Sequence, residues 1–389
     1  QALALGDLNN DGWDDIVVAN SSVTKTISVF LQQSDGTLAS RITYPTLTRP
    51  DAIAVDDVTG DGLVDVVISH WDAPSIGVFV QNVNGTLDPI TTYSAPQSAN
   101  DDVAIGDVNN DGRNDVVKMN GSGLENPHLS VYLQNASGTL DTAVSYSIDC
   151  SNCYGEAVDI GDVTGDGLSD VVMSYHNYKI AVFAQGLDGL LQPSVSYDAY
   201  SNPKAVELAD MNMDGTLDIL VLHGGVLGVY LQKNGSIQPY SLYTIPRNST
   251  RPQSLAVGDL NQDGAVDVAI ADGIYGLITL YYHEKPVPQV IIGGNTWPVD
   301  GEELGAGTSQ LTVQFDRQMR NDGSASSANN PSNYLLVEDG VDNNFQTVSC
   351  AGGLLGDDAP ISVDGATYDP SRYFSSLSIN GGVPLGAES

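Results

Sequence analysis

Six times between residues 7 and 267 the chain sets aspartates at positions 1, 5 and 9 of a nine-residue window. The first window reads Asp7-Leu8-Asn9-Asn10-Asp11-Gly12-Trp13-Asp14-Asp15, with oxygen-bearing side chains at loop positions 1, 3, 5 and 9. Glycine at position 6 permits a sharp turn, and Trp13 at position 7 offers its backbone carbonyl. The other windows supply Asp57, Thr59, Asp61, Leu63 and Asp65; Asp107, Asn109, Asp111, Arg113 and Asp115; Asp162, Thr164, Asp166, Leu168 and Asp170; Asp210, Asn212, Asp214, Thr216 and Asp218; and Asp259, Asn261, Asp263, Ala265 and Asp267. Three carboxylates so close repel one another unless a cation neutralises them. An all-oxygen donor set suits Ca²⁺, which takes six to eight oxygens, better than the tighter octahedron of Mg²⁺. Zn²⁺ favours nitrogen and sulfur. The spacing starts like an EF-hand loop but does not finish as one. Position 12 is Val18 rather than a bidentate Glu, and a strand follows rather than a helix. The expectation is about six Ca²⁺ sites on strand–loop–strand frames, with Thr59 and Thr164 the weaker ligands at position 3.

The windows recur at steps of 50, 50, 55, 48 and 49 residues, so one structural unit repeats. Each unit predicts four short strands. An alternating run such as Ala52-Ile53-Ala54-Val55 precedes the acidic loop, and a β-branched run such as Val66-Val67-Ile68 follows it. A third strand ends near an aromatic residue (Phe30, Phe79, Tyr132, Phe183, Tyr230), and a glycine turn such as Asn84-Gly85-Thr86 leads into the fourth. The fourth strand ends at Tyr44, Tyr93, Tyr146, Tyr197 or Tyr243. Four-stranded units of this length in tandem predict an all-β fold, a β-propeller with six visible four-stranded blades over residues 1–285. The recurring aromatic residues are expected to pack between blades. The sixth unit reaches Glu284-Lys285-Pro286 without a glycine turn or fourth strand, and the chain opens on a first strand. Residues before Gln1 are therefore expected to supply the missing strand or a seventh blade, in a chain that is a processed form or a fragment.

This pattern resembles the FG-GAP/VCBS repeat, found in integrin α-subunit propellers, bacterial surface proteins and some fungal lectins. The resemblance covers roughly residues 1–285. It implies structural Ca²⁺ held by the same residues in the loops between the first and second strands, on one face of the propeller. The Phe-Gly…Gly-Ala-Pro half of the motif is absent, so integrin-like partner pairing is not implied. From Pro286 the repeat stops and Pro286-Val-Pro288 reads as a stiff linker. Residues 286–389 carry strand candidates at Gln289–Ile292, Gln310–Phe315, Tyr334–Val337, Gln346–Cys350 and Phe374–Ile379, which fit a small β-sandwich. The runs around Trp297-Pro298, Leu311 to Asp316 and Asn330 to Tyr334 resemble a bacterial Ig-like domain.

The 49 acidic residues against 14 basic ones leave −35, which excludes a nucleic-acid or anionic-membrane partner that needs a basic face. No apolar run approaches the ~18 residues of a spanning helix. Loops of this kind bind Ca²⁺ with affinities on the order of 10⁻⁴–10⁻³ M and fill only outside cells, so the expected location is extracellular, secreted or at the cell surface. No Gly-x-Ser-x-Gly, His-Glu-x-x-His or phosphate loop occurs, and the chain is expected not to be an enzyme. The opposite face carries the loops between strands two and three, starting at Asn20, His70, Asn120, Tyr175, His223 and Asp272, with Trp71, Asp72, His176 and Tyr178 nearby. The connections between blades add Arg49, Asp101, Asp102, Tyr154, Lys204, Arg247 and Arg251. Three functions follow. The first is a non-enzymatic adhesion or structural module that meets a protein or glycan at the cell surface. The second is a lectin using Trp71, Asp72, Tyr175 and His176. The third is a polysaccharide-active enzyme, which needs a pocket where Arg, Tyr and His converge. Cys150 and Cys153 are placed for a local disulfide; Cys350 has no evident mate.

Overall fold

The computed structural model describes residues 2–21, 25–95, 102–120, 128–148, 150, 153–245, 252–272, 277–282, 310–314, 336–338, 359–361, 363–369 and 374–379. The chain divides into two compact units, Gln1–Lys285 and Pro286–Ser389. Unit one is a six-bladed β-propeller of antiparallel sheets, and no helix occurs among the described residues. Its blades run Leu3–Gly6, Asp15–Asn20, Thr26–Phe30 and Ile42–Pro45; Pro50–Asp56, Asp65–His70, Ser75–Phe79 and Thr91–Ser94; Val103–Gly106, Asp115–Asn120, His128–Tyr132 and Val144–Ser147; Gly155–Gly161, Asp170–Tyr175, Lys179–Phe183 and Val195–Asp198; and Pro203–Ala209, Asp218–His223, Val226–Tyr230 and Ser241–Thr244. The sixth has three strands among the described residues, Pro252–Gly258, Asp267–Asp272 and Leu277–Tyr281.

A lone four-stranded sheet cannot hide both faces, and here the hiding is done between blades. The core falls into five clusters, one at each successive interface. Val17, Ile27 and Val29 of the first blade meet Ile53, Ile68 and Phe79 of the second, and the pattern repeats to Leu220, Leu222 and Val229 against Leu255, Val268 and Ile270. The second strands of blades two to five are buried at every residue, which explains their near-continuous apolar runs, broken in the third blade by buried Lys118. The first blade's second strand alternates buried and half-buried, and Leu3 and Leu5 stand exposed beside it. At the other end Leu277, Ile278 and Leu280 are exposed. Most of the recurring aromatic residues pack between blades: Tyr44 meets Phe79 edge to face at 6.1 Å, and Tyr146 meets Phe183 at 6.5 Å, whereas Tyr243 of the fifth blade stands half exposed. The Tyr230 hydroxyl donates to the Asp198 carbonyl of the preceding blade at 2.8 Å. Cys150 and Cys153 form a disulfide within the core cluster shared by the third and fourth blades.

The glycine hairpins also work between blades. Gly138 has φ +73°, and a Cβ there would stand 2.6 Å from the Thr59 carbonyl oxygen of the preceding blade. Gly36 has φ +80° with open space around it. Gly138→Ala is therefore expected to cost the left-handed penalty plus a backbone clash, roughly 3 kcal/mol, and Gly36→Ala only the penalty, about 1 kcal/mol. Urea unfolding of both variants checks this, and equal midpoints would contradict it.

In the second unit Gln310–Gln314 and Val363–Asp369 flank Phe374–Ile379, and Leu336–Glu338 pairs with Ala359–Ile361. Three expected strands coincide with described ones; Ala359–Ile361 and Val363–Asp369 were not anticipated. Gln289–Ile292, Gln346–Cys350, the 286–288 linker, Trp297, Cys350, Asp101, Arg247 and Arg251 lie outside the described residues.

Candidate metal loops and the opposite face

All six acidic loops share one backbone path, and the path follows from short-range hydrogen bonding. Position 4 is left-handed in each, at φ 58° in Asn10, 74° in Gly60, 59° in Asn110, 75° in Gly165, 58° in Met213 and 61° in Gln262. Position 6 is always glycine, at φ between 81° and 92°. The position-1 carboxylate makes the turn possible. One oxygen of Asp7, Asp57, Asp107, Asp162, Asp210 and Asp259 accepts the position-6 N–H at 2.8 Å. Position 5 (Asp11, Asp61, Asp111, Asp166, Asp214, Asp263) accepts the N–H of position 7 at 2.8–3.0 Å. Asparagine and aspartate suit such turns because their oxygens reach backbone two residues on.

Position 9 behaves differently. Asp15, Asp65, Asp115, Asp170, Asp218 and Asp267 are fully buried. One oxygen of each accepts the position-2 N–H at 2.9–3.1 Å. In the first five blades the other accepts the backbone N–H of Gln32, Gln81, Gln134, Gln185 or Gln232, at 2.7–3.0 Å. This residue therefore ties the start of the loop to the end of the third strand. Burial raises Asp15, Asp65, Asp115, Asp170 and Asp218, to about 6 for Asp65 and Asp115, and the loop's own aspartates push the same way: Asp61 on Asp65, Asp111 and Asp107 on Asp115.

The donor chemistry fits a hard cation. Asn9 Oδ1, at position 3, is buried with no hydrogen-bond partner, an oxygen left for something to fill. Among the described residues no three His, Cys, Asp or Glu side chains stand close enough to enclose a metal by themselves. A cation would therefore draw also on the position-3 side chains (Asn9, Thr59, Asn109, Thr164, Asn212, Asn261) and the position-7 carbonyls (Trp13, Leu63, Arg113, Leu168, Thr216, Ala265). In the third loop Arg113 already pairs with Asp111 and donates to the Gln134 carbonyl at 3.1 Å.

FG-GAP-like repeats match residues 7–68, 57–117, 162–221 and 210–270, more than half of the chain. The chain belongs to the FG-GAP-like repeat family. No curated protein matches it. Among solved structures it is similar to an Agrocybe aegerita lectin that specifically recognises non-reducing terminal N-acetylglucosamine, at 17% identity and a TM-score of 0.50 over 72% of this chain and 80% of that one. It is also similar to a functionally unknown protein from Desulfotomaculum acetoxidans, at 12% identity and a TM-score of 0.52 over 72% and 81%. At such identities the likeness shows the fold alone.

On the opposite face of the FG-GAP-like propeller the side chains anticipated for ligand binding form two separate clusters. Arg49 clasps Asp72 through two bonds of 2.7 and 2.8 Å, and its guanidinium lies 5.8 Å from the centre of the Trp71 ring. Two blades on, Glu156 pairs with His176 and, at 3.2 Å, with Lys204, while Tyr154 sets its ring edge-on to His176 at 5.5 Å. Tyr175, by contrast, is buried, its hydroxyl 3.0 Å from Ser196 Oγ. His70 and His223 are buried, and burial lowers both, to about 4 for His223.

Sequence reasoning placed Asp102 among the inter-blade connections of the binding face and passed over Asp159 and Glu207. Asp102 accepts the Val158 N–H of the next blade's first strand at 3.0 Å, and Asp159 accepts the Leu208 N–H of the blade after at 2.9 Å. These carboxylates staple first strand to first strand. Surrounding protein raises Asp102 to about 7, Asp159 to about 6 and the neighbouring Glu207 to about 8. The signal was there: an acid inside the alternating runs Ala157-Val-Asp159-Ile160 and Ala205-Val-Glu207-Leu208.

Proposed function

We propose that the six loops bind Ca²⁺ and that the propeller is a non-enzymatic, extracellular adhesion or structural module. The observation that carries this is the sixfold recurrence of one pre-shaped loop with oxygen side chains at positions 1, 3, 5 and 9 in each copy, with Asn9 Oδ1 buried and unpartnered in the first. When bound, the ion supplies charge neutralisation and a fixed loop geometry. The chain's own contribution is a turn already wound by positions 1, 5 and 6 and anchored by the buried position-9 carboxylate. Location outside the cell follows from the weak affinity such loops carry, ~10⁻⁴–10⁻³ M. Residues 286–389 fit the role of an Ig-like spacer. Calcium titration by calorimetry, with Mg²⁺ as control, is the test. Several saturable sites are expected, and no heat at millimolar Ca²⁺ sinks the reading.

A second reading, a lectin, draws on the Tyr154–Glu156–His176–Lys204 cluster, where a ring and polar groups meet on an exposed face. The fold shared with a lectin that recognises N-acetylglucosamine is compatible with it. A glycan array run with calcium and with EDTA separates the two. Retention of defined glycans, lost in Tyr154→Ala, supports the lectin; silence across the array counts against it.

A further inference from the structure

We propose that a buried glutamine on each of blades two to five senses the acidic loop of the blade before it, so that filling one loop tightens the next blade interface. This rests on the calcium reading above. Gln81, Gln134, Gln185 and Gln232 open the glycine hairpins of blades two to five and are 1–3% exposed. Their backbone N–H groups bond the position-9 aspartate of their own loop, as described. The side chains of Gln134 and Gln232 reach the other way. A Cβ on Gly60 would stand 3.3 Å from Gln134 Nε2, and one on Gly165 would stand 2.2 Å from Gln232 Nε2. Both glycines occupy position 4 of the preceding blade's loop. The hairpin glycines bring the same surfaces together at four interfaces. A Cβ on Gly85, Gly138, Gly189 or Gly235 would lie 2.6–3.1 Å from the position-3 carbonyl oxygen of Asn9, Thr59, Asn109 or Thr164.

The amides at these interfaces lack partners. Both polar atoms of Gln81, Gln134 and Gln185, and Oε1 of Gln232, are buried with no hydrogen bond from the protein. An orphaned buried polar group costs stability, and an apolar side chain of similar shape would avoid that cost. Four such groups at equivalent positions, each beside a loop that wants a cation, indicate that the partner arrives with the ion. One loop offers about five oxygens and Ca²⁺ takes six to eight, so water completes the shell. A water fixed by the ion is a strong donor, and turning the unpartnered amide over would put Gln Oε1, an acceptor, where Nε2 now lies beside Gly60 and Gly165. The glutamine is thus a positioning residue. It couples the loop of one blade to the third strand of the next, and through the position-9 aspartate to the next loop.

The full-length protein and the Gln81→Leu/Gln134→Leu/Gln185→Leu/Gln232→Leu variant are melted in EDTA and in 10 mM CaCl₂. In EDTA the variant is expected to melt at or above the wild-type temperature, because the orphaned amides are gone. In calcium its gain is expected to fall to about half that of the wild type, with apparent calcium affinity weakened roughly fivefold by calorimetry. If the fourfold variant does not fold, Gln134→Leu is measured in the same way, with a proportionately smaller effect. An undiminished calcium gain, with both melting temperatures shifted equally, overturns the proposal and leaves calcium binding intact. A wild type with no calcium gain overturns the calcium reading and this proposal with it.

Discussion

Ten millimolar Ca²⁺ is expected to raise the melting temperature of the metal-free protein by more than ten degrees, and EDTA to reverse it. At about a hundredfold excess over Kd, each site that binds only the folded chain contributes ~2.7 kcal/mol. Unfolding entropy of ~2.1 cal/mol/K per residue makes one such site worth roughly 4–5 °C if the whole propeller melts as a unit. Repeat arrays need not melt as a unit, and a smaller cooperative block gains more per site. Asp61→Ala should remove part of the calcium gain. It is a cleaner choice than Asp111, which already has Arg113 as a partner. Scanning calorimetry in matched buffers decides the matter, and a calcium gain under two degrees would mean the loops are not structural metal sites.

The second large effect is a dependence on pH in the opposite sense from most acidic proteins under acid stress. Asp102, Asp159 and Glu207 hold their protons more tightly in the folded chain than in the unfolded one, chiefly because the fold strips solvent from them. The stability they contribute is complete below the ordinary carboxyl range and is lost as pH rises through about 6 to 8. Full linkage would be ~1.4 kcal/mol for each unit of displacement, and partial solvent access to these side chains reduces the sum to a few kcal/mol. Metal-free protein is therefore expected to melt several degrees higher at pH 5 than at pH 8.5. The calcium gain should run the other way, growing with pH, because a bound cation competes with protons for the loop carboxylates. A metal-free melting temperature that is flat or rising over that range contradicts the assignment.

Much of the molecule is legible in the chain because its rules are short-range. The loop path is written within nine residues, by an aspartate that bonds the N–H five positions on and a glycine that can take φ near +85°. The repeat step announces the blades, and the near-continuous apolar second strands announce burial on both faces. Even the left-handed position 4 was within reach, since Asn or Gly occupies it in four loops; Met213 and Gln262 hid the rule. What the tertiary structure alone decided are contacts between residues about fifty apart, brought together by stacking one blade on the next. No local pattern shows that Gln134 lies against Gly60, that Asp102 caps Val158, or that Tyr154, His176 and Lys204 gather around Glu156. Local hydrogen bonding shaped each loop. Burial between blades determined which carboxylates keep their protons and which amides wait for a partner.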